Sequence, residues 1–253
     1  MTKKLRISLS LIYCVAITLL FLPFMKQALI TFRTQTASVQ QIETTNQFET
    51  VPLEAVQPPD LSDVLAFKEQ QNFPAAGQII IPEVEIGLPL FLGLSNEQLL
   101  IGAGILFPER RVDDQNVVIV GHHLGRSNLL FGKLMKVKVG DSIYLERQNK
   151  LYQYRVSEAK KIQQTELKVL EEGTRAEITL ITCDKPTQTD QRFVVKGELV
   201  RSPTKEMKEE ILSKMRTIQD KNKQKNLTYC WVILFLYLSC LGIGLYRINQ
   251  VRE

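Results

Sequence analysis

This sequence predicts a mainly β protein, a closed barrel with short helices, flanked by two transmembrane helices. Three observations lead there. Between Gln78 and Val200, seven short runs rich in β-branched and aromatic residues follow one another, bounded by turn residues. The helical candidates between them are few and brief, which argues for a barrel rather than a doubly wound sheet. Two uncharged apolar stretches, Ile7 to Met25 and Tyr229 to Tyr246, lie toward opposite ends of the chain. As helices, each is long enough to cross about 30 Å of hydrocarbon.

The elements follow in chain order. Residues 1–6, "MTKKLR", are a basic cytoplasmic N-terminus, because Lys3, Lys4 and Arg6 hold the flank of the first span inside. The stretch 7–25 reads as an uncleaved anchor. It exceeds the apolar core of a usual signal peptide, and no small-x-small cleavage site follows closely. Residues 26–75 are polar and contain Pro52, Pro58 and Pro59, which suits an extracellular stalk with one short helix.

Residues 76–200 carry the barrel. Its strand candidates are "QIIIPEVEI", "LPLFLG", "QNVVIVGHH", "DSIYLER", "KLYQYRVSEAKKI", "AEITLITC" and "QRFVVKGELV". Gly140-Asp141 and Gln148-Asn149 mark turns. The helical candidates are "SNEQLLIGAGI", with Ser95 as its cap, "SNLLFGKLM", and "TELKVLEEG", opened by Thr165 and stopped by Gly173. A charged linker helix, 201–228, feeds the second span, 229–246, and a cytoplasmic tail, 247–253, follows. The basic "KNKQK", Lys221 to Lys225, lies on the outer flank of that span and opposes this topology, but the first span dominates orientation.

Bulk properties narrow the function. The 253 residues carry a net charge of +5, with no Lys/Arg run interleaved with aromatics, so nucleic acid is not an expected partner. A mild basic excess suits a protein held beside anionic lipid or wall polymer. Of the four cysteines, Cys14, Cys230 and Cys240 fall inside the apolar stretches. Cys183 alone lies in the barrel segment, so no disulfide forms within it. A lone thiol outside the cell is exposed to oxidation, which points to a use for it.

The only histidines, His122 and His123, follow Gly121 at the end of "NVVIV". Thiol catalysis needs a thiolate, a proton carrier and a group that holds charge on the substrate oxygen. Cys183, a histidine and Arg192 supply these types, and a hairpin joining a strand that ends at Cys183 to one that starts near Arg192 would bring two of them to one barrel end. The competing structural reading makes Cys183 a small core hydrophobe and Arg192 a surface strand residue. Metal binding by His122, His123 and Cys183 has no CxxC or HExxH spacing behind it, so no metal or other cofactor is expected. A papain-like arrangement would want the cysteine on a helix and the histidine after it.

"TLITC", Thr179 to Cys183, with "VGHH" upstream and "QRFVVKG" downstream, resembles the sortases, membrane-anchored cysteine transpeptidases of Gram-positive cell surfaces. "IPEVEIGLPLFLG", "EQLLIGAG" and "KVGDSIYL" agree with it. The resemblance implies an eight-stranded barrel. It implies that Cys183 cleaves an LPxTG-type sorting signal between Thr and Gly through a thioester, and that an amine of lipid II or a wall peptide resolves it. His122 corresponds to the family's proton-transferring histidine, His123 to a variable position, and Arg192 to the arginine at the oxyanion or the signal. Thr182 corresponds to a substrate-contacting threonine, and Val120, Leu167, Val169 and Ile181 to the apolar signal groove.

Among sortase classes the resemblance is greatest to class A, the housekeeping type. The C-terminal span is more typical of class C, the pilus subunit polymerases, and a non-catalytic scaffold that binds wall peptides is a further alternative. Some class A members bind calcium, for which Glu109, Asp114 and Glu172 are the nearest matches. Arg110 and Arg111 beside them argue against a divalent ion.

Overall fold

The computed structural model describes residues 3–36, 39–41, 52–54, 56–59, 61–67, 73–173, 175–187, 189–201 and 203–250. Part of the expected stalk, the first two residues and the end of the tail lie outside the described residues. The chain divides into two compact units, 1–35 with 224–253, and 36–223.

In the first unit, α1 (Lys3–Thr36) runs on past the apolar stretch that predicts it. It meets the C-terminal part of α4 (Lys205–Gln250), the helix that holds both the charged linker and the second apolar stretch. The Tyr13 hydroxyl donates to the Cys240 carbonyl at 2.7 Å, and Phe21 packs edge-on to Tyr237. Both helices are long and apolar enough to cross a membrane.

The second unit opens with β1 (Val39–Gln41), α2 (Leu61–Ala66) and β2 (Phe73–Ala75), which pairs in parallel with β1. The Phe67 and Phe73 rings stack 5.5 Å apart and bury with Phe91, Leu100 and Ile101 against the barrel. The barrel strands are β3 (Gly77–Ile81), β4 (Ile86–Leu92), β5 (Ala103–Ile105), β6 (Asn116–Gly121), β7 (Ser142–Arg147), β8 (Lys150–Gln163), β9 (Glu177–Cys183) and β10 (Gln191–Arg201). They close in the order β10-β8-β7-β3-β4-β5-β6-β9. Closure leaves no open sheet edge. The β7–β8 hairpin turns at Gln148 and Asn149, both at positive φ, between the paired Arg147 and Lys150. That is the geometry of a two-residue hairpin loop whose twist matches its strands.

β5 corrects one sequence expectation. The run Ser95 to Ile105 predicts a single helix, but only α3 (Asn96–Leu99) is α-helical. The chain then turns into β5, which pairs with β4 on one side and β6 on the other. Gly104 makes this possible, since a Cβ there would lie 2.2 Å from the Gly93 carbonyl oxygen. Ser95 sits at the α3 N-cap without a side-chain capping bond. The run Thr165 to Gly173 forms only a short 3-10 turn, Leu167–Leu170, preceded by Glu166 rather than capped by Thr165. The run Ser127 to Met135 gives a 3-10 turn over Leu134–Lys136.

The N-terminal part of α4 docks on β3, β7 and β8. Ile211, Met215 and Ile218, at helical spacing, bury against Ile80, Tyr144 and Leu151. Lys208 Nζ donates to the Asn149 carbonyl at 2.5 Å, and Lys133 and Lys221 both pair with Glu85. Hydrogen bonds from these two lysines hold the Glu85 carboxyl down at about 2. The segment that the sequence presents as a linker is therefore a wall of the barrel unit. Met215 is 1% exposed. Met215→Ala should cost about 2–4 kcal/mol, read as a lower denaturant midpoint of the full chain in detergent; an unchanged midpoint would show that the helix is merely laid on the surface.

Candidate active site

Strand register assembles the site. β9 pairs antiparallel with β10, and its last residue, Cys183, stands opposite Arg192. β9 pairs in parallel with β6, with Val120 opposite Ile181. Counting on by two, His122 comes level with Cys183. The hairpin therefore brings a thiol and a guanidinium to one end of the barrel, and β6 runs parallel to β9 toward that same end, where the two histidines follow it. Gly121 is required there, since a Cβ would lie 2.6 Å from the Phe131 ring, and the Phe131 N–H donates to the His122 carbonyl at 3.1 Å.

β6 ends at Gly121, so both histidines lie just past the strand, and strict strand alternation does not set their directions. His122 is 3% exposed, whereas His123 is half-buried and its Nδ1 lies 3.2 Å from the Cys183 carbonyl oxygen. Burial pushes His122 down from 6.5 to about 4, against the opposing pull of the Asp63 carboxylate of α2. Burial pushes the Cys183 thiol up, the Arg192 charge pulls it back, and the Asp184 charge adds to the rise. Both shifts favour the uncharged forms, a thiol at Cys183 and a neutral imidazole at His122.

Arg192 is held by its own surroundings. Its Nη1 donates to the Thr189 carbonyl at 2.6 Å and to the Gln191 carbonyl at 3.1 Å, and its Nη2 to Gln164 Oε1 at 2.9 Å. Asp184 is 4% exposed and orders the turn between Cys183 and Arg192. One of its oxygens accepts from the Thr189 hydroxyl at 2.8 Å, the other from Lys161 Nζ at 3.3 Å. Burial pushes this carboxyl up, but those hydrogen bonds and the charges of Lys161 and Lys185 bring it below its usual range. Sequence reasoning passed over Gln164, Asp184 and Thr189. Only Asp184, a carboxylate directly after the cysteine, carried a signal.

The other expected residues divide. Ile181 is buried with Val118, Ile162 and Val194, and Val120, Val169 and Leu170 pack on that cluster. This apolar face runs up to Cys183. Leu167 stands exposed at the start of its 3-10 turn, outside the cluster. Thr182 is not brought into the groove. It alternates to the other side of β9, is 2% exposed, and its hydroxyl donates to the Gly121 carbonyl at 2.8 Å, tying the cysteine strand to the histidine strand.

Two of the three acidic positions considered for a divalent ion pair with arginines. Asp114 pairs with Arg111 at 3.2 Å and Glu172 with Arg110 at 3.5 Å. Among the described residues, no group of three or more His, Cys, Asp or Glu side chains converges to hold a metal. A cation added at Glu172 would meet a guanidinium, so the residues present do not fit calcium.

Comparisons with known proteins agree with this geometry. The Sortase domain model matches residues 79–200. Sortase A of Listeria monocytogenes serovar 1/2a (strain ATCC BAA-679 / EGD-e) is 36% identical over 206 residues, covering 78% of this chain and 93% of that protein. Sortase A of Bacillus anthracis is 30% identical over 175 residues, covering 68% and 83%. The crystal structure of Listeria monocytogenes sortase A is 41% identical, covers 54% of this chain and 96% of that one, and superposes with a TM-score of 0.51. A thiol, an imidazole and a guanidinium at one end of an eight-stranded barrel, with relatives of this extent, place the chain in the sortase family, cysteine transpeptidases acting on surface-protein sorting signals and amine acceptors.

Proposed function

We propose that this sortase cleaves LPxTG-type signals between Thr and Gly and transfers the threonyl end to an amine of lipid II or a wall peptide. The observation that supports this reading is the strand register, in which Cys183 pairs with Arg192 and β6 runs parallel to β9 and ends one residue before His122. Cys183 Sγ attacks the threonine carbonyl carbon as His122 takes the thiol proton. Arg192 steadies the oxyanion through the guanidinium N–H groups not already given to Thr189, Gln191 and Gln164. The C–N bond breaks, His122 returns the proton to the departing glycine amine, and a thioester remains. The acceptor amine attacks, loses its proton to His122, and expels the Cys183 sulfur, which is reprotonated. Val120, Val169 and Ile181 receive the apolar part of the signal, with Leu167 at the outer edge. The two apolar helices anchor the enzyme in the cell membrane as a two-span protein, with the barrel extracellular and both termini cytoplasmic.

The test incubates the full chain in detergent with an LPxTG peptide and a glycine-type amine. A threonyl–amine product, and a Cys183 adduct of the peptide's N-terminal mass when the amine is withheld, are expected. An intact peptide and no adduct would leave a wall-peptide-binding scaffold. The C-terminal apolar helix favours a second reading, a class C-like pilus polymerase, and preference for a pilin-derived amine over the wall-peptide amine would select it.

A further inference from the structure

Residues 169–172, in the connection from β8 to β9, are gripped by two side chains, one from β6 and one from the loop before it, that the chemistry above does not use. Asn116, which opens β6, is fully buried. Its Nδ2 donates to the Val169 carbonyl at 3.2 Å and to the Glu171 carbonyl at 3.1 Å, and its Oδ1 accepts from the Thr179 hydroxyl of β9 at 2.8 Å. Arg110 Nη1 donates to the intervening Leu170 carbonyl at 2.8 Å and to the Asn116 carbonyl at 3.1 Å. Arg110 Nε faces Glu172 at 3.5 Å, and the same carboxylate accepts from Gln115 Nε2 at 3.0 Å. Three successive carbonyls and the next carboxylate are thus all engaged by donors from the barrel and the loop before β6.

Neither gripping group is free to wander. Thr179 fixes which end of the Asn116 amide points at the connection. The Arg110 guanidinium lies over the Phe107 ring, 3.8 Å from its centroid. The Arg110 carbonyl accepts from Arg147 Nη1 at 3.3 Å, and Arg147 Nη2 reaches the Pro108 carbonyl at 2.5 Å. Arg147 is itself 4% exposed. The gripped segment includes Val169 and Leu170, which pack on the apolar cluster around Ile181, two residues before Cys183.

We propose that Arg110 and Asn116 are positioning residues that lock residues 169–172 over the sorting-signal groove before substrate arrives, through a guanidinium and a buried amide. This rests on the groove assignment made for the proposed function. An ordered groove wall binds signal without an ordering cost, so loss of the lock raises KM more than it lowers kcat. Asn116 also reaches Thr179 on the cysteine strand, which ties the groove wall to the strand that carries the nucleophile.

The test compares the full chain in detergent with Arg110→Met, Arg110→Lys, Asn116→Ala and Thr179→Val. Amide exchange over residues 165–173 is read against β3 and β4 as an internal standard, and kcat and KM are measured on an LPxTG peptide. Exchange in that segment should quicken about tenfold or more in Arg110→Met and Asn116→Ala while β3 and β4 stay protected. KM should rise about tenfold with a smaller change in kcat, and Arg110→Lys should recover part of both. Millimolar calcium or EDTA should move neither reading in the wild type. Unchanged exchange in Arg110→Met, or wild-type exchange that slows on adding calcium, would overturn the lock. Should Asn116→Ala unfold, Arg110→Met and Thr179→Val still decide it. Should the wild type cleave no peptide, the proposed function fails while the exchange data still judge the lock.

Discussion

Cys183→Ala abolishes both peptide cleavage and amine transfer while the barrel melts where the wild type does. Every step of the proposed chemistry passes through Sγ, and no second thiol lies outside the two apolar helices. Removal of a nucleophile that acts as one unit with its base costs on the order of 10⁴-fold or more, because the remaining groups have nothing to activate. The fold has little stake in the sulfur. Cys183 is half-buried at a strand end, and its backbone pairing with Arg192 does not need the side chain. Turnover within tenfold of the wild type, measured by product mass on an LPxTG peptide, would move the nucleophile elsewhere.

His122→Ala loses about 10²–10⁴-fold in kcat, the usual share of a positioned proton carrier, whereas His123→Ala stays within about tenfold. His123 offers the cysteine strand one contact, to the Cys183 carbonyl, and such a bond is worth about 1 kcal/mol. Equal losses in the two variants would reverse the assignment. The same buried imidazole links stability to pH. The folded His122 titrates at about 4 and the unfolded residue at 6.5. Between these values the unfolded chain binds the extra proton, so acidification through that window favours unfolding, by at most about 3 kcal/mol. His122→Gln should flatten the fall in Tm between pH 7 and 4; a slope equal to the wild type's would mean that another group titrates there.

What was legible in the sequence depended on local periodicity. Seven of the eight barrel strands were visible because their residues are β-branched, aromatic and bounded by turns. β5 was not, because three residues, Gly104 among them and Gly102 just before, have no period to read, and it exists only where β4 and β6 flank it. Thr182 shows the same limit at the site. The family resemblance implies substrate contact there, but alternation along β9 turns its side chain to the buried side.

Sequence by itself determined the barrel class, the two apolar helices, and the residue types for thiol chemistry, because each is written in neighbouring residues. Only the tertiary structure decided that the charged linker is a docked wall. Ile211 and Met215 bury against Ile80 and Leu151, far away along the chain. Only it showed that Arg110 and Asn116 hold residues 169–171, since a hydrogen bond from residue 110 to residue 170 has no signature in either segment. Contacts of that reach depend on how strands close around the barrel, and closure is a property of the whole sheet rather than of any stretch within it.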